Sequence, residues 1–223
     1  MRRYLRVKEV KNKHMGLDLA NINQQLRDKS PAEIIAWAVS LNKQVMTTTS
    51  FAQNSAVMLH LITQVDASIP VVWIDSGYNV PDTYRVAEQL MDQLKPNMMI
   101  YTPEMTAERR NAILGGIPHP DDDPDVHEEF TRQVKLEPFN RALSEIGPEV
   151  WISGIRREET DFRKTLDIVS VDKRGILKVA PLFYLTEQDI TAYMQLHQLP
   201  SCRHYFDPTK VIENRECGLH TSA

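Results

Sequence analysis

Strand-like runs alternate with helical periodicity through the first half of the chain, and this alternation limits the fold more than any other feature. Val45 to Thr49 is short and rich in β-branched residues, and Pro70-Val71-Val72-Trp73-Ile74-Asp75 is an apolar run closed by Ser76-Gly77. A polar turn over 50–55 leads into the helical pattern Ala56-Val57-Met58-Leu59-His60-Leu61-Ile62. A second helix over about 81–94 precedes a third strand at 98–101. This strand–helix–strand–helix–strand order predicts an α/β fold with a parallel, doubly wound sheet flanked by helices.

The flanking segments fit around that unit. Leu17, Leu19, Ile22 and Leu26 give a rough apolar stripe over 17–28, and Ser30-Pro31-Ala32-Glu33 has capping-box spacing for a helix to about Leu41. Beyond the third strand, the spacing predicts a helix over 107–114 that stops at Gly115-Gly116. The acidic run 121–125 reads as a solvated loop, followed by a helix over about 136–146. Val150-Trp151-Ile152-Ser153 reads as a strand, and 167–171 and 176–179 flank Lys173-Arg174-Gly175 as a β-hairpin. Thr186 caps a last helix to about His197, and the polar chain after Leu199 reads as a tail. The expected division is an N-terminal arm and helix over 1–29, an α/β domain over 30–200, and a tail over 201–223.

Composition narrows the function classes. The 223 residues suit one α/β domain with a small appendage. A net charge of −4 argues against a whole-molecule binder of nucleic acid, so any anion site must be local. No apolar run has membrane-spanning length, and the basic stretch 1–13 lacks the apolar core of a secretory signal. Cys202 and Cys217 are the two cysteines, too few for a disulfide scaffold or an iron–sulfur cluster, so the expected setting is a reducing cytoplasm.

Four stretches carry the chemistry-bearing residues. Thr47-Thr48-Thr49-Ser50-Phe51-Ala52-Gln53-Asn54-Ser55 places hydroxyls and backbone N–H groups at a helix N-terminus, which suits an anion, although such a stretch is often only a cap. It lacks the glycines and lysine of a Walker loop. Asp75-Ser76-Gly77-Tyr78 ends a strand at the ligand-binding edge of an open sheet, where Asp and Gly are also ordinary turn residues. Arg156, Arg157 and Arg163 share one loop and suit bidentate phosphate or sulfate recognition, with Glu158, Glu159 and Asp161 as internal counter-charges. Arg215-Glu216-Cys217-Gly218-Leu219-His220 surrounds a thiol with groups that raise its thiolate population; read alone, it is more simply a terminal segment with an incidental thiol.

In order along the chain, these stretches resemble the sulfonucleotide reductases. Glu216-Cys217-Gly218-Leu219-His220 is similar to the signature of that family, and 47–55 resembles its modified P-loop, with Ala52 in place of glycine and Asn54 in place of glutamine. Asp75-Ser76-Gly77, then Pro81, Thr83 and Tyr84, resemble the family's second stretch. The arginine loop from Gly154 to Arg163 matches its third, with Thr160 in place of serine, and Leu136 to Leu143 resembles the helix before that strand. The cysteines that hold a cluster in relatives using adenylyl sulfate (APS) are absent, so the chain resembles the cluster-free class that uses phosphoadenylyl sulfate (PAPS). The family's longer arm before the Cys motif is shortened here to 201–213.

The resemblance implies an adenine-nucleotide α-hydrolase-like fold and thiol-dependent reduction of PAPS in sulfate assimilation. It implies Cys217 as nucleophile, forming an S-sulfocysteine, with His220 beside it. Thr49, Ser50, Phe51, Asn54, Ser55, Asp75, Gly77, Arg156, Arg157, Arg163 and Arg215 would bind the nucleotide. Reduced thioredoxin or glutaredoxin would be the electron donor, with no bound cofactor, metal or cluster, and the family suggests a homodimer. Two alternatives remain: an APS reductase or other P-loop-related nucleotide enzyme, and a nucleotide-binding relative without catalysis.

Overall fold

Among residues 16–210, which the computed structural model describes, six strands line up in a single sheet. They are β1 (Val45–Thr49), β2 (Pro70–Ile74), β3 (Asn97–Tyr101), β4 (Val150–Ile152), β5 (Val169–Val171) and β6 (Leu177–Val179), in spatial order β3-β2-β1-β4-β6-β5. All neighbours pair in parallel except β5 with β6, which form the antiparallel hairpin expected around Gly175. Arg215, Cys217 and His220, expected at the site, lie outside the described residues.

Eight α-helices among the described residues are α1 (Leu19–Leu26), α2 (Pro31–Ser40), α3 (Ser55–Asp66), α4 (Pro81–Leu94), α5 (Ala107–Leu114), α6 (Pro124–Thr131), α7 (Glu137–Ile146) and α8 (Glu187–Leu196). The capping box on α2 forms as its spacing predicts, with Ser30 Oγ accepting from Glu33 N and the Glu33 carboxylate accepting from Ser30 N. The period of two along the strands divides the core. Val45, Val71, Trp73, Val150 and Ile152 face α2, α3, α4 and α8, while Met46, Val72 and Trp151 face Phe139 and Ala142 of α7. Each of these large side chains contributes about 1.5–3 kcal/mol by leaving water.

The region after the third strand departs from the sequence expectation. The acidic run is not all loop, because Asp123 accepts from Val126 N at 3.0 Å and Pro124 opens α6. From there to Ile146 the chain stays helical, with a π-helical turn over Arg132–Leu136. Pro138 explains the interruption: it lacks the N–H that would bond Val134, and its ring crowds the preceding turn. The chain after Leu199, expected as a tail, runs back over the body through 201–210, with Cys202, Pro208 and Thr209 buried.

Candidate functional site

The strand order reverses at β1: the chain proceeds to β2 and β3 on one side and places β4 on the other. In an open α/β sheet the crevice outside the strand C-termini at such a point is where ligands bind. A cavity of about 300 Å³ lies here, lined by Thr48, Thr49 and Ser50 at the end of β1, by Gly154, Ile155 and Arg156 after β4, and by 205–210.

Phe51 makes the turn out of β1. Its backbone is left-handed (φ 52°), unusual for a bulky residue, and its fully buried ring packs edge-on against Trp73 at 4.8 Å. Burial of the ring holds the strained turn, so Phe51 shapes the loop from beneath and does not line the cavity. The helix that follows, α3, has no side-chain cap, whereas Asp18, Ser30, Thr106, Asp123 and Thr186 cap theirs. Asn54 sits at the cap position but gives its amide to the Glu187 carboxylate at 3.1 and 3.2 Å. An uncapped helix N-terminus beside Ser50, Asn54 and Ser55 presents positive potential to the cavity.

The β2 end is built differently. Asp75 Oδ1 accepts from Gly77 N at 3.1 Å, Asn79 Nδ2 at 2.9 Å and the Tyr84 hydroxyl at 2.8 Å. Burial, then the Asp75 carboxylate, push the Tyr84 phenol up to about 12. Gly77 needs its positive φ of 78°, and a Cβ there would sit 3.2 Å from Ala107 Cβ. Asp75 and Gly77 therefore organise the loop, while Ser76 and Asn79 supply its cavity lining.

Arginines dominate the β4 side. Arg156 is 5% exposed and donates to Glu158 Oε1 and Glu187 Oε2, both at 2.5 Å. Arg163, 8% exposed, pairs with Glu159, whose carboxylate also accepts from Arg156 N at 2.8 Å. Arg157 is exposed and outside the cavity wall, its backbone N–H donating to Phe183 O at 2.8 Å. A buried arginine needs partnered charge, and here Glu158, Glu159 and Glu187 provide it. The wall carries Lys135, Arg156, Arg163 and Lys210 against Glu159 and Asp207.

Lys135 belongs to the π-helical turn and reaches Asp207, and also Thr209 Oγ1 at 3.2 Å. Burial pulls Asp207 up, but the Lys135 ammonium and the Thr209 hydrogen bonds outweigh it and hold the carboxyl below its ordinary range. Cys202 is the free cysteine among the described residues; it is 1% exposed and lies beside Thr83.

Residues 44–210 match the phosphoadenosine phosphosulfate reductase domain family. The chain belongs to that family. It is 39% identical over 183 residues to a phosphoadenosine 5′-phosphosulfate reductase of Synechococcus, covering 82% of this chain and 78% of the relative. Identity to the enzyme of the same name from Shigella dysenteriae is 34% over 227 residues, covering 92% of each. Among solved structures, a PAPS reductase from Candida auris in phosphate complex superposes with a TM-score of 0.73 at 24% identity, over 83% of this chain and 88% of that one. An FMN adenylyltransferase from Candida glabrata shares the fold more distantly, with a TM-score of 0.51 at 13% identity over 73% and 50% of the chains. The mainly parallel sheet flanked by helices is the fold these proteins have in common.

Within this member of the reductase family, Thr49, Ser50, Asn54, Ser55, Arg156 and Arg163 meet in one cavity, while Phe51, Asp75, Gly77 and Arg157 do not line it. Sequence reading missed Lys135, Asn79 and Glu187. Lys135 had one legible cue, its place just before Leu136-Glu137-Pro138, where a proline interrupts a helix. Glu187 follows the Thr186 cap and had no cue, because its partners Asn54 and Arg156 lie far off in sequence.

Proposed function

We propose that the protein reduces PAPS to sulfite and adenosine 3′,5′-bisphosphate in sulfate assimilation, by way of an S-sulfocysteine on Cys217. Family membership and the PAPS reductase relatives support the oxidoreductase reading. The observation that carries the proposed mechanism is a cation-rich cavity at the sheet's switch point whose wall ends at Lys210, seven residues before Cys217. Seven extended residues span at most about 25 Å, so the cavity lies within reach of the thiol.

The uncapped start of α3 and the hydroxyls of Ser50 and Ser55 suit one phosphate; Arg156, Arg163 and Lys135 suit the remaining anionic charge. The Cys217 thiolate attacks the sulfonate sulfur, the S–O bond to the 5′-phosphate breaks, and the bisphosphate leaves with that electron pair. The cations, with Arg215 and His220 near the thiol in sequence, balance the charge shifting onto the leaving group. A thiolate of reduced thioredoxin or glutaredoxin then attacks Cys217 Sγ and expels sulfite, and the donor's second thiol resolves the mixed disulfide, so the donor leaves oxidised. No cofactor or metal enters these steps. Among the described residues no helix is long and apolar enough to cross a membrane, and a thiol-based cycle suits the reducing cytoplasm.

Incubation with PAPS, APS or ATP plus reduced thioredoxin, assaying sulfite and pyrophosphate, tests the reading. Sulfite from PAPS at a kcat/KM well above that for APS is expected. Equal values for PAPS and APS would refute the 3′-phosphate preference, and pyrophosphate from ATP would place the protein with the adenylating enzymes.

A further inference from the structure

The segment 201–210 is gripped by three separate elements. Ser201 Oγ donates to Gln53 O at 3.1 Å in the turn after β1. At the first turn of α4, Asp82 Oδ2 accepts from Arg203 N at 3.0 Å and His204 N at 3.3 Å, with Cys202 Sγ at 3.8 Å. Lys135 holds Asp207 and Thr209. Between the last two grips, Tyr205 and Phe206 are partly exposed and line the cavity.

Asp82 is the grip that fixes direction. Its carboxylate follows Pro81 at the start of a helix that has no side-chain cap, where the helix N-terminus favours negative charge. Instead of capping its own helix, it satisfies two consecutive backbone N–H groups of a segment 121 and 122 residues away. This turns the chain at 203–204 and seats the Cys202 thiol beside the fully buried Thr83, 3.5 Å from its hydroxyl. Everything that follows, the 205–210 wall and the run to Cys217, starts from that turn.

We infer that Asp82 is a positioning residue for the sulfur-transfer step: by clamping Arg203 and His204 it fixes the turn from which the cavity wall at 205–210 leads on toward Cys217 in sequence. The assignment rests on the reductase reading above. It gives Cys202 a packing role under the clamp and leaves it no part in resolving the adduct.

Asp82→Ala removes the acceptor, and Asp82→Asn keeps one carbonyl oxygen. In Asp82→Ala, single-turnover formation of the Cys217 adduct is expected to slow about tenfold or more, with bisphosphate Kd shifting by less than about threefold. Asp82→Asn should recover part of the rate, and labelling of Cys202 by a thiol reagent should accelerate in Asp82→Ala. An Asp82→Ala rate within about twofold of wild type, or a rate loss matched by an equal loss of bisphosphate affinity, would overturn the assignment. Should Asp82→Ala fail to fold, amide exchange in the wild type decides: Arg203 and His204 N–H are expected to exchange about a hundredfold slower than a free chain, and free-chain rates would remove the clamp. A wild type that makes no sulfite would remove the reaction itself, and protected Arg203 and His204 amides would mark that as failure of the reductase reading, not of the clamp.

Discussion

On one side of the cavity, Thr48, Thr49, Ser50, Asn54 and Ser55 come from one continuous stretch, shaped by the turn at Phe51 and the start of α3. On the other, 205–210 form a wall with no regular structure, held directly by Lys135 at a separation of 72 residues and, through Arg203 just before it, by Asp82 at 121. The first wall is a local solution, in which a strand end, a strained turn and a helix N-terminus produce an anion site. The second is irregular backbone placed by side chains from distant elements. The arginine loop lies between these extremes: Arg156 and Arg163 are local to it, but Glu187 arrives from α8. Under the mechanism proposed above this is a division of labour, with nucleotide binding on the local walls and sulfur chemistry on the far one.

Three experiments break or sharpen that division. The largest effect is expected from Cys217→Ser, which should lower sulfite release by at least about a thousandfold, since a serine hydroxyl without an activating base is a poor nucleophile. Bisphosphate affinity should persist in that variant. Mass spectrometry of wild type with PAPS and no reductant should find one sulfonate, on Cys217; the 1% exposure of Cys202 forbids it there. An adduct on Cys202, or activity in Cys217→Ser, would end the proposed mechanism.

The converse substitution is Arg156→Ala. It should weaken bisphosphate binding roughly ten- to hundredfold, because one charge-assisted contact is worth about 1.5–3 kcal/mol. Arg156→Lys should rescue only in part, keeping charge without the fork. Arg157→Ala, outside the cavity wall, should cost much less by the same calorimetry. Equal losses at the two positions would mean that the ligand lies across the loop instead of in the cavity.

The smallest effect concerns the seam between α3 and α8, which joins the helix after β1 to the helix carrying Glu187. His60 Nδ1 lies 2.8 Å from the Tyr193 hydroxyl, and its ring centroid lies 4.5 Å from that of His197. Burial, then the His197 imidazole, lower the His60 pKa, so the folded protein keeps it neutral where an unfolded chain would take up a proton. Its contribution to stability is thus complete above the unfolded value of about 6.5 and is lost as pH falls from there toward the lower folded value. The urea midpoint should be lower at about pH 5.5 than at about pH 7.5, and His60→Phe should reduce that difference. An unchanged slope in His60→Phe would assign it to other groups.

How much was legible follows the same divide. The alternation that predicted the sheet, the Ser30 and Thr186 caps and the Gly175 hairpin all appear where their spacing put them. The charge density of the acidic run suggests solvent, but the Asp123-Pro124 pair within it is a helix start. The segment after Leu199 reads as a tail because it is polar, and polarity does not reveal that Asp207 has Lys135 to meet or that Asp82 accepts from two backbone N–H groups there.

The sequence by itself determined the α/β class, the strand ends that line the cavity and the family, because periodicity, caps and short motifs act between residues close along the chain. Only the tertiary structure decided that Phe51, Asp75 and Gly77 shape loops without lining the cavity, that Arg156 and Arg163 face it while Arg157 does not, and that 205–210 form its far wall. The last of these depends on which charges and donors meet across 72 to 122 residues of chain, and no local pattern encodes such pairings.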